Sequence, residues 1–203
     1  MRSPTSARFN RFVSTVGPDT PRTALDLGYG MGAYSIALAR AGFQVVAVDQ
    51  VPSTPFLQRL RDQAEPADRV EVVEGLIERH PIAGGLGVLV AKDVLHYLAP
   101  GDVEALLVQA AAASHPHGLH YLEVFTDISR TAANGGIQRI EGEADLSADS
   151  FRRLVERVYQ GWHVSLAWDA HAEQDSRTGL NYFEALRATV VATRSTPTRK
   201  DAR

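Results

Sequence analysis

The stretch from Thr23 to Asp49 decides the fold. It reads TALDLGYGMG over residues 23–32, AYSIALARAGF over residues 33–43 and QVVAVD over residues 44–49. This pattern predicts a buried β-strand, a glycine-rich turn, a crossover helix and a second strand that ends in a carboxylate. Such a unit binds a nucleotide-like ligand at the carboxyl end of its strands. We therefore expect a small-molecule-binding α/β enzyme.

Three glycines follow the first strand at every second position: Gly28, Gly30 and Gly32. Glycine permits positive φ and lets backbone N–H groups approach a ligand closely. Asp49, followed by Gln50, lies at about the distance downstream at which an acid meets a ribose diol, and its two oxygens can accept both hydroxyls. The spacing G-x-G-x-G differs from the G-x-G-x-x-G of dinucleotide sites, which argues against nicotinamide or flavin.

The segment from Asp26 to Gly32 resembles the D-x-G-x-G-x-G signature of class I methyltransferases that use S-adenosylmethionine. The class resemblance covers residues 23–125. It implies a Rossmann-like, doubly wound α/β fold with a seven-stranded sheet, mostly parallel and ending in an antiparallel hairpin. It also implies S-adenosylmethionine as cofactor, methyl transfer as reaction, and cofactor contacts from Asp26, the three glycines, Tyr29, Asp49 and Gln50.

Some positions depart from the family pattern. Tyr29 stands where related enzymes often have cysteine, so we expect a larger ring beside the cofactor and a narrower pocket. Leu76 replaces the aspartate that commonly accepts the adenine amino group, which assigns adenine recognition to backbone groups and to apolar contact with Leu76 and Ile77. Near the C-terminus, Phe151–Leu154 and the residues 161–164 resemble the tellurite-resistance type of small methyltransferase, although these motifs are weaker.

Polar side chains follow the predicted fourth strand, Leu86 to Val90. Lys92, Asp93 and His96 come next, and sites in open α/β sheets lie outside the carboxyl ends of the strands. The resemblance implies that this segment flanks the methionine part of the cofactor and the acceptor, so Lys92 and Asp93 are predicted cofactor contacts.

A general base is needed only if the acceptor is an alcohol or an ammonium group, and histidine is then the natural candidate. His171 is our first choice, because the polar segment that it begins is predicted to be a hairpin loop that reaches over the site. His96 is the second choice. In contrast, His115 and His117 are separated by one residue without a nearby acid or thiol, which favours a turn over a metal site.

The chain is predicted to form one domain, residues 1–203, and the remaining segments belong to it. Residues 1–22 form a short helix or lid, residues 126–147 a polar insertion over the acceptor, and residues 195–203 a frayed tail. The His-Pro-His-Gly sequence at residues 115–118 is expected to form a turn that ends the helix beginning at Asp102, before a fifth strand at Leu119–Phe125.

Composition narrows the function classes. The chain has 203 residues, 44% of them apolar, a net charge of -3 and no cysteine. The charge balance disfavours nucleic acid as a partner, and the lack of cysteine excludes disulfides and thiolate chemistry. No apolar run approaches the ~18 residues that span a bilayer, so a cytoplasmic protein with no membrane contact is expected. We expect a small-molecule or peptide acceptor; the alternatives are a non-methylating enzyme, such as a cyclase, and a module that only senses the cofactor.

Overall fold

The structure is a computed structural model that describes residues 5–62, 67–132 and 136–194. The helices are α1 (Ala7–Thr15), α2 (Ala33–Arg40), α3 (Thr54–Asp62), α4 (Pro100–Ala113) and α5 (Ala148–Val158). The strands are β1 (Thr23–Leu27), β2 (Gln44–Asp49), β3 (Val70–Glu74), β4 (Leu86–Lys92), β5 (Ser114–Arg130), β6 (Trp162–Gln174) and β7 (Asn181–Arg194). Short 3₁₀ turns occupy Ala67–Arg69, Ile77–Arg79 and Leu95–Tyr97. None of the helices in these ranges is long and apolar enough to cross a membrane.

The seven strands form one sheet in the order β3-β2-β1-β4-β5-β7-β6. Strands β1 to β5 run parallel, whereas β7 is antiparallel to both β5 and β6. The predicted fold class is therefore confirmed. The chain winds outward from β1 to β3 and then crosses to β4 on the other side of β1. This reversal opens a crevice at the carboxyl ends of β1 and β4, which is where ligands bind in such sheets.

Alternate residues of the central strands face two cores. Leu25 and Leu89 belong to the cluster beneath α4 and α5, whereas Val88 and Val90 belong to the cluster beneath α1 and α2. A sheet covered on both faces explains why β1 and β4 read as continuous apolar runs in the sequence. It also leaves the strand ends as the place where polar groups of the sheet reach solvent.

Strand β5 is longer at both ends than the sequence predicted. The turn predicted at residues 115–118 is wrong, because these residues form an irregular start of the strand between the pairs Leu86–Ser114 and Val88–Leu119. The polar insertion predicted to begin at Thr126 begins only after Arg130. Thr126 is fully buried and pairs with Leu186 of β7, so an antiparallel neighbour holds the polar residues in the sheet.

The segment predicted as an N-terminal helix or lid contains α1. Ser6 caps this helix by accepting a hydrogen bond from the Phe9 N–H at 3.0 Å, and Phe9 and Phe12 are buried against the sheet. This docking explains the aromatic spacing, and a role as lid stays a prediction. The predicted tail at 195–203 lies outside the described residues.

Candidate functional site

The glycine-rich loop after β1 has a backbone that other residues would not adopt easily. Gly28 and Gly32 have φ values of 70° and 67°. A β-carbon would lie 2.4 Å from Val94 Cγ2 at Gly28 and 2.0 Å from the Phe56 ring at Gly32. The two positions thus need glycine both for conformation and for space. Gly30 also has a positive φ, 49°, but a β-carbon there would meet nothing within 4 Å.

Asp49, at the end of β2, is bound to this loop. Its Oδ2 accepts a hydrogen bond from the Gly30 N–H at 2.9 Å, and its Oδ1 accepts one from the Val51 N–H at 3.1 Å. A carboxylate oxygen has two lone-pair sites, so each oxygen keeps capacity for a further donor such as a ribose hydroxyl. Asp49 therefore fixes the shape of the loop in addition to its predicted role toward ribose.

A cleft of about 310 Å³ opens beside the loop. Gly28, Asp49, Gln50, Leu76 and Ile77 line it, so the structure brings together these five predicted cofactor residues. Leu76 is 39% exposed and Ile77 only 5%, which leaves Leu76 as the larger apolar surface for a ligand. Lining residues that the sequence did not indicate include Val94, Leu98, Ala99, Asp102 and Gly142.

The second part of the cleft, about 160 Å³, lies on the other side of the glycine loop. Gly28 lines both parts, which makes them neighbours at the carboxyl end of β1. Predicted residues Asp26, Tyr29, Gly30 and Lys92 line this inner part, together with Met31, Ala33 and Tyr34. The Lys92 ammonium forms an ion pair with Asp93 and lies 4.0 Å from Glu123 Oε2. Gly32 lines neither part; it is the N-cap residue that directly precedes α2.

The Tyr29 side chain is turned mainly toward the protein interior. It is 5% exposed, and its ring centroid lies 4.9 Å from that of Phe56 in α3. It shares a buried cluster with Ile36, Ala47 and Leu60. Most of the ring therefore supports the loop from below, so it does not narrow the pocket as strongly as its size suggested.

Asp26 is a buried carboxyl group at the inner end of the cleft. It is 2% exposed and accepts a hydrogen bond of 2.5 Å from the Ser35 hydroxyl of α2. Burial raises the pKa of Asp26 from 3.8 to about 6, and the Ser35 hydrogen bond opposes this shift. Burial thus disfavours the carboxylate form relative to the unfolded chain. A cation bound in the cleft would stabilise the carboxylate.

We expect Asp26→Asn to change how stability depends on pH. Because the folded protein holds a proton on Asp26 up to about pH 6, ionisation of this group removes stability as the pH rises from about 4 to about 6. The asparagine variant lacks this loss, so its free energy of unfolding should gain on the wild type by up to about 3 kcal/mol across that window. Urea unfolding at several pH values measures the difference. Asp19→Asn, at an exposed position, is the control; parallel profiles for Asp26→Asn and the wild type would contradict the assignment.

His96 is enclosed at the carboxyl end of β4. It is 1% exposed, its ring lies 4.2 Å from Tyr97 and 5.2 Å from Phe125, and its Nδ1 is buried without a hydrogen-bond partner among the described residues. Burial lowers the pKa of His96 from 6.5 to about 4, with Asp93 opposing the shift. The ring is therefore neutral at neutral pH, when it can accept or donate a hydrogen bond.

His171 does not lie in a hairpin loop, so that part of its prediction is wrong. It is a residue of β6 and pairs with Ala185 of β7. Its ring lies 4.8 Å from that of Phe125, and its Nε2 is 3.3 Å from Glu173 Oε1. His96 and His171 thus contact the same phenyl ring, and the catalytic role of either stays a prediction.

Another groove, of about 450 Å³, lies elsewhere in the fold. Residues at the amino-terminal ends of β1 and β2, such as Thr23 and Gln44, line it, together with His80 and Ile82. Ligands of parallel α/β sheets bind at the opposite, carboxyl ends of the strands. The cleft at the glycine loop is therefore the candidate site.

Comparison with known proteins finds a family and relatives to which this chain is similar. Residues 24–118 match a family described as Methyltransferase domain. Cypemycin N-terminal methyltransferase from a Streptomyces species is 35% identical over 130 residues, which are 63% of this chain and 51% of that protein. The chain thus spans about half the length of this relative.

Two solved structures show the likeness in fold. TehB from Haemophilus influenzae superposes with a TM-score of 0.66 at 15% identity, over 94% of this chain and 64% of TehB. The glycopeptide N-methyltransferase MtfA, in complex with S-adenosyl-L-methionine, gives a TM-score of 0.62 at 18% identity, over 94% of this chain and 98% of MtfA. The match to the methyltransferase domain thus covers residues 24–118, and the fold of the chain as a whole is similar to that of TehB and MtfA.

Proposed function

We propose that the chain binds S-adenosylmethionine in the cleft at the glycine loop and transfers its methyl group to a small molecule or a peptide. The observation that carries this proposal is the two-part cleft that meets at Gly28. One part offers Asp49 and the apolar Leu76, and the other offers Asp26 and Lys92. These are a carboxylate and an apolar wall for a nucleoside on one side, and charged groups for an amino-acid moiety on the other.

The residues divide between the two halves of the cofactor. Asp49 and Gln50 would hold the ribose, and Leu76 and Ile77 the adenine ring. The Gly28 and Gly30 backbone would approach the centre of the cofactor, because glycine leaves no β-carbon in the way. Asp26 would attract the ammonium group of the methionine half, and Lys92 its carboxylate. The charges of the inner part thus match a zwitterion.

Methyl transfer needs orientation more than acid–base chemistry. The acceptor's lone pair attacks the methyl carbon, the carbon–sulfur bond breaks, and its electron pair stays on sulfur to give neutral S-adenosylhomocysteine. The leaving group carries a positive charge before the reaction and needs no proton. Holding donor and acceptor in line can contribute ~7 to 11 kcal/mol to the lowering of the barrier. This is consistent with a cleft whose described residues hold no cluster of metal-ligating side chains.

The names of the relatives favour a nitrogen acceptor. One is described as a methyltransferase of the cypemycin N-terminus and another as a glycopeptide N-methyltransferase. Both descriptions concern peptides or peptide-derived compounds. A peptide or a small amine is therefore the first class of acceptor to test for this chain.

The proposal is tested by incubating the protein with cofactor that carries a trideuterated methyl group and with a cell extract. We expect compounds heavier by one labelled methyl group, detected by mass spectrometry, together with S-adenosylhomocysteine. Calorimetry measures cofactor binding in parallel. Binding without transfer would favour a sensing module, transfer of another part of the cofactor would favour a non-methylating enzyme, and absence of binding would overturn the proposal.

The two histidines are tested by His96→Ala and His171→Ala. If either ring takes a proton from the acceptor, its loss should lower the turnover number by ~100-fold or more while the cofactor affinity stays unchanged. Single-turnover methyl transfer at several pH values measures this effect. His163→Ala, at an exposed position of β6, is the matched control. A variant with unaltered turnover removes that histidine from the mechanism.

A further inference from the structure

Buried polar atoms without a hydrogen-bond partner lie close together just beyond the inner part of the cleft. Asp93 Oδ1, His96 Nδ1 and Arg187 Nε are three of the six buried side-chain nitrogen or oxygen atoms that lack a hydrogen-bond partner within the described ranges 5–62, 67–132 and 136–194. A buried polar group without a hydrogen-bond partner destabilises the folded protein. Their concentration at the carboxyl ends of the central strands indicates a site that is completed by a ligand.

Two of the three residues pack against one aromatic ring, and the third pairs with one of them. The Arg187 guanidinium carbon lies 4.6 Å from the centroid of the Phe125 ring, and the His96 ring packs edge-on against the same phenyl group at 5.2 Å. Arg187 Nε is 3.5 Å from Asp93 Oδ1, a charged pair whose geometry makes no hydrogen bond. Asp93 and Arg187 are 22% and 27% exposed, so solvent reaches the site from their side.

Asp93 is held in an unusual conformation. Its φ is 51°, a value rare for residues other than glycine, asparagine and aspartate, and its N–H donates to the Glu123 carbonyl at 2.8 Å. Its Oδ2 accepts from Lys92, whose side chain lines the inner part of the cofactor cleft. Asp93 itself is absent from the lining of both parts of the cleft. Its Oδ1 is therefore available to a ligand that lies next to the cofactor, and its predicted role as a cofactor contact stays a prediction.

The chemistry of the three atoms selects the ligand. Asp93 Oδ1 accepts hydrogen bonds, Arg187 Nε donates one, and the neutral His96 ring can accept at Nδ1. A carboxylate acceptor has no donor for Asp93 and would be repelled by it. A simple alcohol or thiol has one donor and leaves Arg187 unpaired. An amine next to a carbonyl supplies N–H groups for Asp93 and His96 and an oxygen for Arg187.

We propose that Asp93, His96 and Arg187 form the acceptor site, and that the acceptor is an α-amino group next to a carbonyl, at a peptide amino terminus or in a free amino acid. This inference rests on the proposed methyl transfer. The Asp93 carboxylate already forms ion pairs with Lys92 and Arg187, so the site does not need a third cation, and the unprotonated amine is the form that can react. The ammonium form releases one proton to water, the nitrogen lone pair bonds the methyl carbon, and the product is an N-methylammonium group.

The substrate class is tested with a random hexapeptide library that has free amino termini, a copy of it that is N-acetylated, and a mixture of the twenty amino acids. Each is incubated with the protein and trideuteriomethyl cofactor, and tandem mass spectrometry locates the label. We expect label on the α-nitrogen of free peptides or of amino acids, which separates the two sources, and none in the acetylated library. Label on side chains alone, or label in none of the three, overturns the inference.

Variants test the assignment of residues, with the preferred labelled peptide or amino acid as substrate. We expect Asp93→Asn and Arg187→Gln to lower kcat/KM by ~10-fold or more, mainly through KM, while the cofactor affinity stays within about twofold. Asparagine tolerates the positive φ at position 93, so this variant keeps the backbone. Asp19→Asn and Arg153→Gln, at exposed positions, are the matched controls. Unchanged KM values in Asp93→Asn and Arg187→Gln would remove both residues from the site.

The failure of this inference can be told from a failure of the proposed function. If the cofactor does not bind in calorimetry, the proposed function fails. If the cofactor binds and label from a cell extract appears in a compound without an α-amino group, the methyl transfer stands. In that case only the acceptor class assigned to Asp93, His96 and Arg187 is wrong.

Discussion

Gly32→Ala should be among the most damaging single substitutions in this protein. The new β-carbon would lie 2.0 Å from the Phe56 ring, and the backbone has a φ of 67°. The left-handed conformation costs roughly 1 to 2 kcal/mol in a residue with a β-carbon, and overpacking of a core adds typically ~1 to 3 kcal/mol. We therefore expect the free energy of unfolding to fall by ~2 to 5 kcal/mol, measured by urea denaturation.

The same substitution should weaken cofactor binding, because Gly32 begins α2 directly after the loop that carries Gly28 and Gly30. Gly30→Ala is the matched control: its φ is also positive, but a β-carbon there meets nothing within 4 Å. It should cost only the conformational part, ~1 to 2 kcal/mol. Gly161→Ala repeats that test far from the cleft, where φ is 80°. If Gly32→Ala is no less stable than Gly30→Ala, close packing against Phe56 does not explain the glycine.

The parts of the fold that sequence could predict are those with a local signal. The apolar runs of β1 and β4, the glycine spacing and the carboxylate at the end of β2 each occupy a few consecutive residues. They were sufficient for the first strand–helix–strand unit, for the position of the cleft and for the family resemblance that implied the seven-stranded sheet. Contacts between distant residues carried no such signal: Val94 closes against Gly28 across 66 positions of sequence, and Arg187 reaches Asp93 across 94 positions.

Two errors have the same physical cause. Residues 126–130 and those around His171 were predicted as loops because the surrounding sequence is polar, yet they are strand residues of β5 and β6. Strand β6 is an edge strand with many exposed positions, and edge strands carry polar side chains that discourage pairing with other chains. Strand β5 continues because β7 pairs with it. A polar stretch therefore does not by itself indicate a loop, because a neighbouring strand that is distant in sequence can hold it in the sheet.

The predicted catalytic histidine illustrates the consequence for the site. His171 was chosen because a loop can reach over a ligand, whereas a strand residue has a fixed place. Its ring contacts the same Phe125 ring as His96 and Arg187 do, so it lies next to the proposed acceptor site. A role in shaping the Phe125 wall fits this position better than direct proton transfer. The His171→Ala measurement decides between the two.

Asp49→Ala should weaken binding of S-adenosylmethionine by ~2 kcal/mol or more, about 30-fold, through the loss of charge-assisted hydrogen bonds to ribose. The structure adds a second reason for a large effect. The carboxylate also accepts hydrogen bonds from the Gly30 N–H at 2.9 Å and from the Val51 N–H at 3.1 Å, so its removal frees the loop on which the cofactor rests. Isothermal titration calorimetry with the cofactor measures the affinity, and urea unfolding of the unliganded protein measures the loop contribution.

Asp49→Asn separates the two contributions. The amide keeps one oxygen for a backbone N–H but loses the charge and the second acceptor, so we expect an affinity between those of the wild type and Asp49→Ala. Asp19→Asn, which removes one exposed carboxylate elsewhere, controls for the change in net charge. If Asp49→Ala binds the cofactor with wild-type affinity, Asp49 does not hold the ribose. If affinity falls while unfolding is unchanged, Asp49 acts on the ligand rather than through the glycine loop.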